Sequence, residues 1–189
     1  MSTVEHSVFD ESARPRTQLD EVATDASAFA AGQHLVQVHD HFRTEIAALR
    51  DVVARVRRGA LDVATARSTL NDMTLRANTW AVGSMCQGYC HAITQHHLME
   101  DMAVFPHLGG ADQRLAAVLD RLSLEHVVIH DLIEAVDAAL IDLVRDPSDH
   151  AQLTLAVDRL GDALLSHFDY EESELVGPLT RLGFYEGQL

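Results

Sequence analysis

Two segments of the chain carry a histidine followed four residues later by a glutamate. They are His96-His97-Leu98-Met99-Glu100 and His167-Phe168-Asp169-Tyr170-Glu171. Positions four apart share one face of a helix, with Cβ atoms about 5–6 Å apart, so imidazole and carboxylate can reach one metal centre together. Two more histidines, His39 and His126, stand singly on apolar stripes. With Glu100 and Glu171 as carboxylates and His39, His96, His126 and His167 as imidazoles, the set offers six ligands. That number suits a pair of iron ions better than one structural zinc. The donors include no thiolate; imidazole and carboxylate suit iron, and manganese or zinc could use the same groups. A carboxylate can bridge two ions while a histidine caps one, and open positions on such a centre could take oxygen, nitric oxide or peroxide.

Spacing alone decides little, because His41/Glu45 and His130/Glu134 repeat it. His41 lies well round its helix from the apolar stripe, which fits a solvated pair with Glu45. Its position two residues from His39 leaves the choice between them open. His130 shares a face with His126 and reads as a further ligand or as a group supporting one, whereas Glu134 reads as surface. His97/Asp101 competes with His96/Glu100, since the apolar spacing fits both. The inward position of Glu100 and Glu171 carries more weight. A buried carboxylate without a partner costs several kcal/mol, and a cation is the most economical partner.

The elements that must position these residues are four amphipathic helices. The first spans about 30–57 on a stripe of Leu35, Phe42, Ile46, Leu49, Val53 and Val56, with His39 in register, and Gly59 ends it. A second helical stretch runs from about Asp62 to Phe105, where Pro106 and Gly109-Gly110 are expected to stop it. It is too long for its partners, so a break is expected near Asn78 to Gly83, leaving an extra helical segment before the second core helix. The third helix, about 112–145, carries Leu115, Leu119, Leu122, His126, Ile129, Ile133, Val136 and Leu140. The fourth, about 149–176, carries Leu153, Val157, Leu160, Leu164, His167, Glu171 and Leu175, and Gly177-Pro178 is expected to end it. The fold class is therefore all-α, an up-down-up-down four-helix bundle over 29–183. A polar, mobile tail is expected over 1–28 and a short C-terminal tail over 184–189. Val38-His39 followed by Phe42 and Ile46 mirrors Glu125-His126 followed by Ile129 and Ile133. The two His-x-x-x-Glu helices mirror each other too, so each half reads as a hairpin supplying half of the ligands.

Composition sets the boundaries. At 189 residues and 47% hydrophobic, the chain can bury a sizeable core. Its net charge of −15 argues against nucleic acid and anionic membranes as partners. No apolar run approaches the roughly 18 residues of a membrane span, and no signal-peptide core is present, so a cytoplasmic location is expected. Cys86 and Cys90, four apart on a helix, read as free thiols acting as small buried hydrophobes, with no Cys-x-x-Cys zinc motif. Tyr89 and Tyr170 read as core tyrosines, with a redox or hydrogen-bonding role near the site as the alternative. A ferritin-like centre would need Glu-x-x-His, which occurs nowhere in the chain.

Several of these residues together resemble the hemerythrin-like (HHE cation-binding) family of bacterial type. The resemblance covers about residues 30–183. It is carried by His39 with Phe42-Arg43, by His96-His97-x-x-Glu100-Asp101 running into Phe105-Pro106, by Glu125-His126, and by His167-x-x-x-Glu171-Glu172 running into Leu179 after Pro178. It implies a four-helix bundle around two non-heme irons joined by an oxo or hydroxo bridge. Glu100 and Glu171 would bridge the ions and His39, His96, His126 and His167 would be terminal ligands; the run into Phe105-Pro106 favours His96 over His97. His126/His130 keeps the spacing of the extra histidine pair in oxygen-carrying hemerythrins, but His167/Glu171 departs from their last motif. The implied function is therefore binding or reduction of a small oxidant (oxygen, nitric oxide or peroxide), with an unidentified redox partner. As an enzyme it would be a di-iron oxidoreductase of catalase-like or nitric-oxide-reducing type. The alternative is an iron or gas sensor, or an iron-binding module without turnover.

Overall fold

The structure, a computed structural model, describes residues 8–17, 26–58, 87–146 and 150–183. Every long element among them is helical. Helix α1 is Ala26–Arg57 and α2 is Gln87–Met99. A π-helical turn, Glu100–Val104, leads into α3, Phe105–Ala111; a 3₁₀ turn, Gln113–Leu115, leads into α4, Ala116–Arg145; and α5 is Ala151–Leu182. Helix α5 is central, packing lengthwise against both α1 and α4, while α2 leans on α4.

The apolar stripes account for this packing. Leu153, Val157, Leu160, Leu164, Phe168, Leu175 and Leu179 of α5 are all buried, in steps of three and four where the series is unbroken. The core forms two apolar clusters. One gathers Phe42, Ile46 and Leu49 of α1 with Cys90 and Ile93 of α2, Ile129 and Ile133 of α4, and Leu160, Leu164 and Phe168 of α5. The other gathers Leu35 with Val104, Phe105, Leu108, Leu115, Leu122, Leu175 and Leu179. The polar candidates fall around the change from one cluster to the other: His39 between Leu35 and Phe42, Glu125-His126 between Leu122 and Val128, and His167 and Glu171 on either side of Phe168 and Tyr170.

Two helix ends depart from the expectation. Pro106 does not stop the second rod, which continues to Ala111 and ends where Asp112 donates its N–H to the Leu108 carbonyl at 2.8 Å. Proline tolerates the first turn of a helix, and the wider π turn just before it makes Pro106 such a position. Gly177-Pro178 does not stop α5 either. Pro178, Leu179 and Thr180 are buried, and the helix closes only at Gly183, whose φ of 68° suits glycine and whose N–H donates to the Leu179 carbonyl at 2.9 Å. Tertiary packing outweighs local breaking propensity at both sites.

The polar stretch expected as a mobile tail differs as well. Residues 8–17 lie against the bundle: Val8 joins the first core cluster, Arg14 is buried, and the Tyr170 hydroxyl donates to the Pro15 carbonyl at 2.7 Å. The extra segment with its break near 78–83, Cys86 and the tail at 184–189 lie outside the described residues, as does the side chain of Tyr89. No helix of the described residues is long and apolar enough to cross a membrane.

Candidate metal centre

Seven side chains from four rods converge on the layer between the two apolar clusters. Helix α1 supplies His39, α2 supplies His96 and His97, the π turn supplies Glu100, α4 supplies His126, and α5 supplies His167 and Glu171. None is more than 8% exposed. Their donor atoms form two groups, His39/His96/Glu100/Glu171 and His97/His126/His167, each with all atoms within 4.8 Å of one another.

The six residues expected from the sequence are all brought together, and His97 joins them. His96 and His97 are not alternatives. Consecutive helical residues point about 100° apart, so a helix face turned toward the bundle axis can send one ring to each side. The His96 Nε2 lies 3.1 Å from His39 Nε2, toward α1. The His97 ring stacks on His126, centroids 4.0 Å apart and planes 7° apart, toward α4. The remaining candidates stay outside. His41 is exposed and pairs with Glu45 at 3.4 Å; His130 is exposed and pairs with Glu134 at 3.5 Å.

The glutamates stand between the groups. Glu100 places one oxygen 3.1 Å from His96 Nε2 and the other 3.6 Å from His126 Nε2. Glu171 Oε2 lies 3.5 Å from His39 Nε2 and 3.4 Å from His167 Nε2. Many of these inward atoms have no hydrogen-bond partner: Glu100 Oε2, both oxygens of Glu171, and the Nε2 atoms of His97, His126 and His167. Buried polar atoms are almost always satisfied, so a cluster of orphans, all lone-pair donors facing one space, fits cations.

The outward nitrogens are held. His39 Nδ1 is 2.9 Å from Glu172, which accepts from Arg43 at 2.7 Å. His126 Nδ1 is 3.1 Å from Asp101, which accepts from Ser123 Oγ at 2.7 Å. His167 Nδ1 is 3.1 Å from Glu125, itself gripped by Arg14. A carboxylate on Nδ1 puts the hydrogen there and leaves the Nε2 lone pair for a metal. Asp101 and Glu172 each directly follow an inward glutamate, and each supports the lone histidine of the other half of the chain. Sequence reasoning weighed Asp101 only as a partner for His97 and gave Glu172 no role; their signal was an acid at the same offset in both halves.

Charge is finely poised. Burial pushes His96 down to about 3, although Glu171 pulls the other way, and burial likewise lowers His97 and His126. These three rings are neutral and ready to ligate at pH 7. Burial also opposes charge on His167, but Glu125 and Glu171 outweigh it and raise the ring to about 8. Burial, then the nearby Glu171, raises Glu100 well above the carboxylate range. Glu171 is also penalised by burial, yet His167, His39 and His96 hold it below that range.

The sequence profile of the hemerythrin HHE cation-binding domain matches residues 30–179, most of the chain. The chain belongs to the hemerythrin family. No curated protein and no solved structure matches it. The hemerythrin domain found by that match contains every ligand candidate, and its buried His/Glu cluster is able to hold metal. Residues 8–17, with Arg14, lie before the matched stretch.

Proposed function

We propose that this hemerythrin-like protein holds two non-heme iron ions and binds or reduces a small oxidant (oxygen, nitric oxide or peroxide). The observation that carries this reading is the set of buried, partnerless Nε2 and carboxylate oxygen atoms on Glu100, Glu171, His97, His126 and His167. His39 and His96 would hold one ion and His97, His126 and His167 the other, with Glu100 and Glu171 bridging. When bound, the irons would supply ferrous–ferric electron exchange with a small ligand.

The chain's own residues prepare the space. His39 stacks on Phe168 (4.3 Å between centroids) and His126 on Phe105 (5.5 Å), so apolar rings hold the imidazoles and exclude water. Asp101, Glu125 and Glu172 keep the proton of each supported ring on Nδ1. The His39/His96 group offers two imidazoles with the two glutamates, and the other group offers three imidazoles. A cytoplasmic location and a separate redox partner accompany this reading.

Metal analysis after expression in iron-rich medium, with an absorption spectrum before and after peroxide, tests it. About two irons per chain and a near-ultraviolet oxo-to-iron band are expected. Glu100→Ala/Glu171→Ala should abolish iron uptake; substoichiometric iron in the parent, or wild-type iron in the double variant, would overturn the proposal. Rapid peroxide or nitric oxide turnover would mark an enzyme, and a spectral change without turnover would mark a sensor.

A further inference from the structure

The pseudo-symmetry of the two hairpins fails at one position. Asp101 and Glu172 support His126 and His39 in matching fashion. Glu125, which supports His167, has Val38 as its counterpart, so among the described residues His96 gains no acid from that position. Glu125 is fully buried, and its charge is met by Arg14, from outside the bundle helices. Arg14 Nε donates to Glu125 Oε1 at 2.9 Å and NH2 to Oε2 at 2.9 Å, a two-pronged grip, with the arginine side chain only 2% exposed. Its guanidinium carbon lies 4.6 Å from the centroid of the Tyr170 ring.

The segment carrying Arg14 is anchored independently of that grip. The Tyr170 hydroxyl donates to the Pro15 carbonyl (2.7 Å), and Arg121 donates to the carbonyls of Val8 (3.1 Å) and Ala13 (2.9 Å). Thr17 N–H donates to Glu174 at 2.9 Å. Such an arrangement exceeds what attachment of a chain end requires, because it places a planar fork against a buried carboxylate one hydrogen bond from a ligand candidate.

We propose that Arg14 is a positioning residue of the metal centre: its fork orients Glu125, and Glu125 fixes the His167 ring so that Nε2 faces the ions. The consequence for iron rests on the metal reading above; the link from Arg14 to His167 does not. Without the fork, Glu125 can rotate or admit water, and His167 loses its fixed Nδ1 acceptor. Arginine and lysine are not interchangeable here, because lysine supplies charge without the two-pronged geometry.

The test uses the full chain with nitrogen-15-labelled histidine, in metal-free and iron-loaded forms. In metal-free protein the His167 Nδ1–H should give a protected downfield proton signal. Arg14→Met should shift or abolish it, and Arg14→Lys should move it partway. Arg121→Gln, which removes the donors to the Val8 and Ala13 carbonyls, should leave it in place. In iron-loaded protein Arg14→Met should weaken iron binding about tenfold in chelator competition, as for loss of other groups that orient a metal-binding histidine. In a Glu125→Gln background the same change should add little. An unchanged His167 signal in Arg14→Met, or an equal loss in Arg121→Gln, would overturn the proposal. Failure of the parent protein to take up iron would instead overturn the metal reading, and the His167 signal would still decide the role of Arg14.

Discussion

His97 and His130 show why residue type and spacing fall short of a ligand set. Both are near-duplicates of a better candidate, yet one is buried against His126 and the other is exposed. His97→Ala should therefore lower iron from about two ions to about one per chain, while His41→Ala and His130→Ala should keep the full amount. Equal iron in all three variants would return His97 to the role of a core histidine. Protonation gives a second prediction. Ligation requires His167, raised to about 8, to give up its proton, whereas His96, His97 and His126 are already neutral. Metal uptake should release that proton and strengthen by about tenfold per unit as pH rises from 6 to about 8, then level off. Competition with a chelator of known pH dependence measures this, and a flat profile would contradict the protonation states.

Among the helices, the close approach of α1 and α5 is set by two glycines of different consequence. A Cβ on Gly32 would meet Thr180 Oγ1 at 2.6 Å and the Val176 carbonyl oxygen at 2.8 Å. One on Gly161 would meet the Arg50 guanidinium at 2.5 Å. A backbone oxygen on a packed helix cannot yield, but the far end of an arginine can, at the loss of its hydrogen bonds to Asp158 and Asp162. Gly32→Ala should cost about 1–3 kcal/mol as overpacking. Gly161→Ala should cost less than about 1 kcal/mol, because helix propensity gains a similar amount. Thermal or denaturant melts of the two variants distinguish these outcomes, and equal losses would show that the contact at Gly32 is not tight. The helix stripes were legible because Leu, Val and Ile recur with helical period. The ends at Pro106 and Pro178 were not, because the π turn and the burial of Leu179 and Thr180 are settled by neighbouring helices.

At the scale of the whole molecule, the described residues form two apolar clusters separated by a layer of imidazoles and carboxylates. That layer should be the weakest part of the metal-free protein and the part most strengthened by ions. Occupancy at 100–1,000 times the dissociation constant stabilises by about 3–4 kcal/mol. For a chain of this size that corresponds to a rise in Tm on the order of 10 °C. Differential scanning calorimetry with and without iron, and after chelation, should show the rise and its reversal; an identical Tm would mean that the layer is satisfied without metal.

The sequence by itself determined the helical class, the inward register of His39, His96, Glu100, His126, His167 and Glu171, and the repeat of a lone histidine and a His-x-x-x-Glu pair in each half. Period and residue type are local, and a charged residue on an apolar stripe is visible without coordinates. Only the tertiary structure decided that His96 and His97 face opposite groups, that Asp101 and Glu172 each serve the opposite half of the chain, and that Arg14 reaches Glu125 across 111 positions of chain. Those outcomes depend on how the rods rotate about their axes and where a non-helical segment docks, which no local pattern encodes.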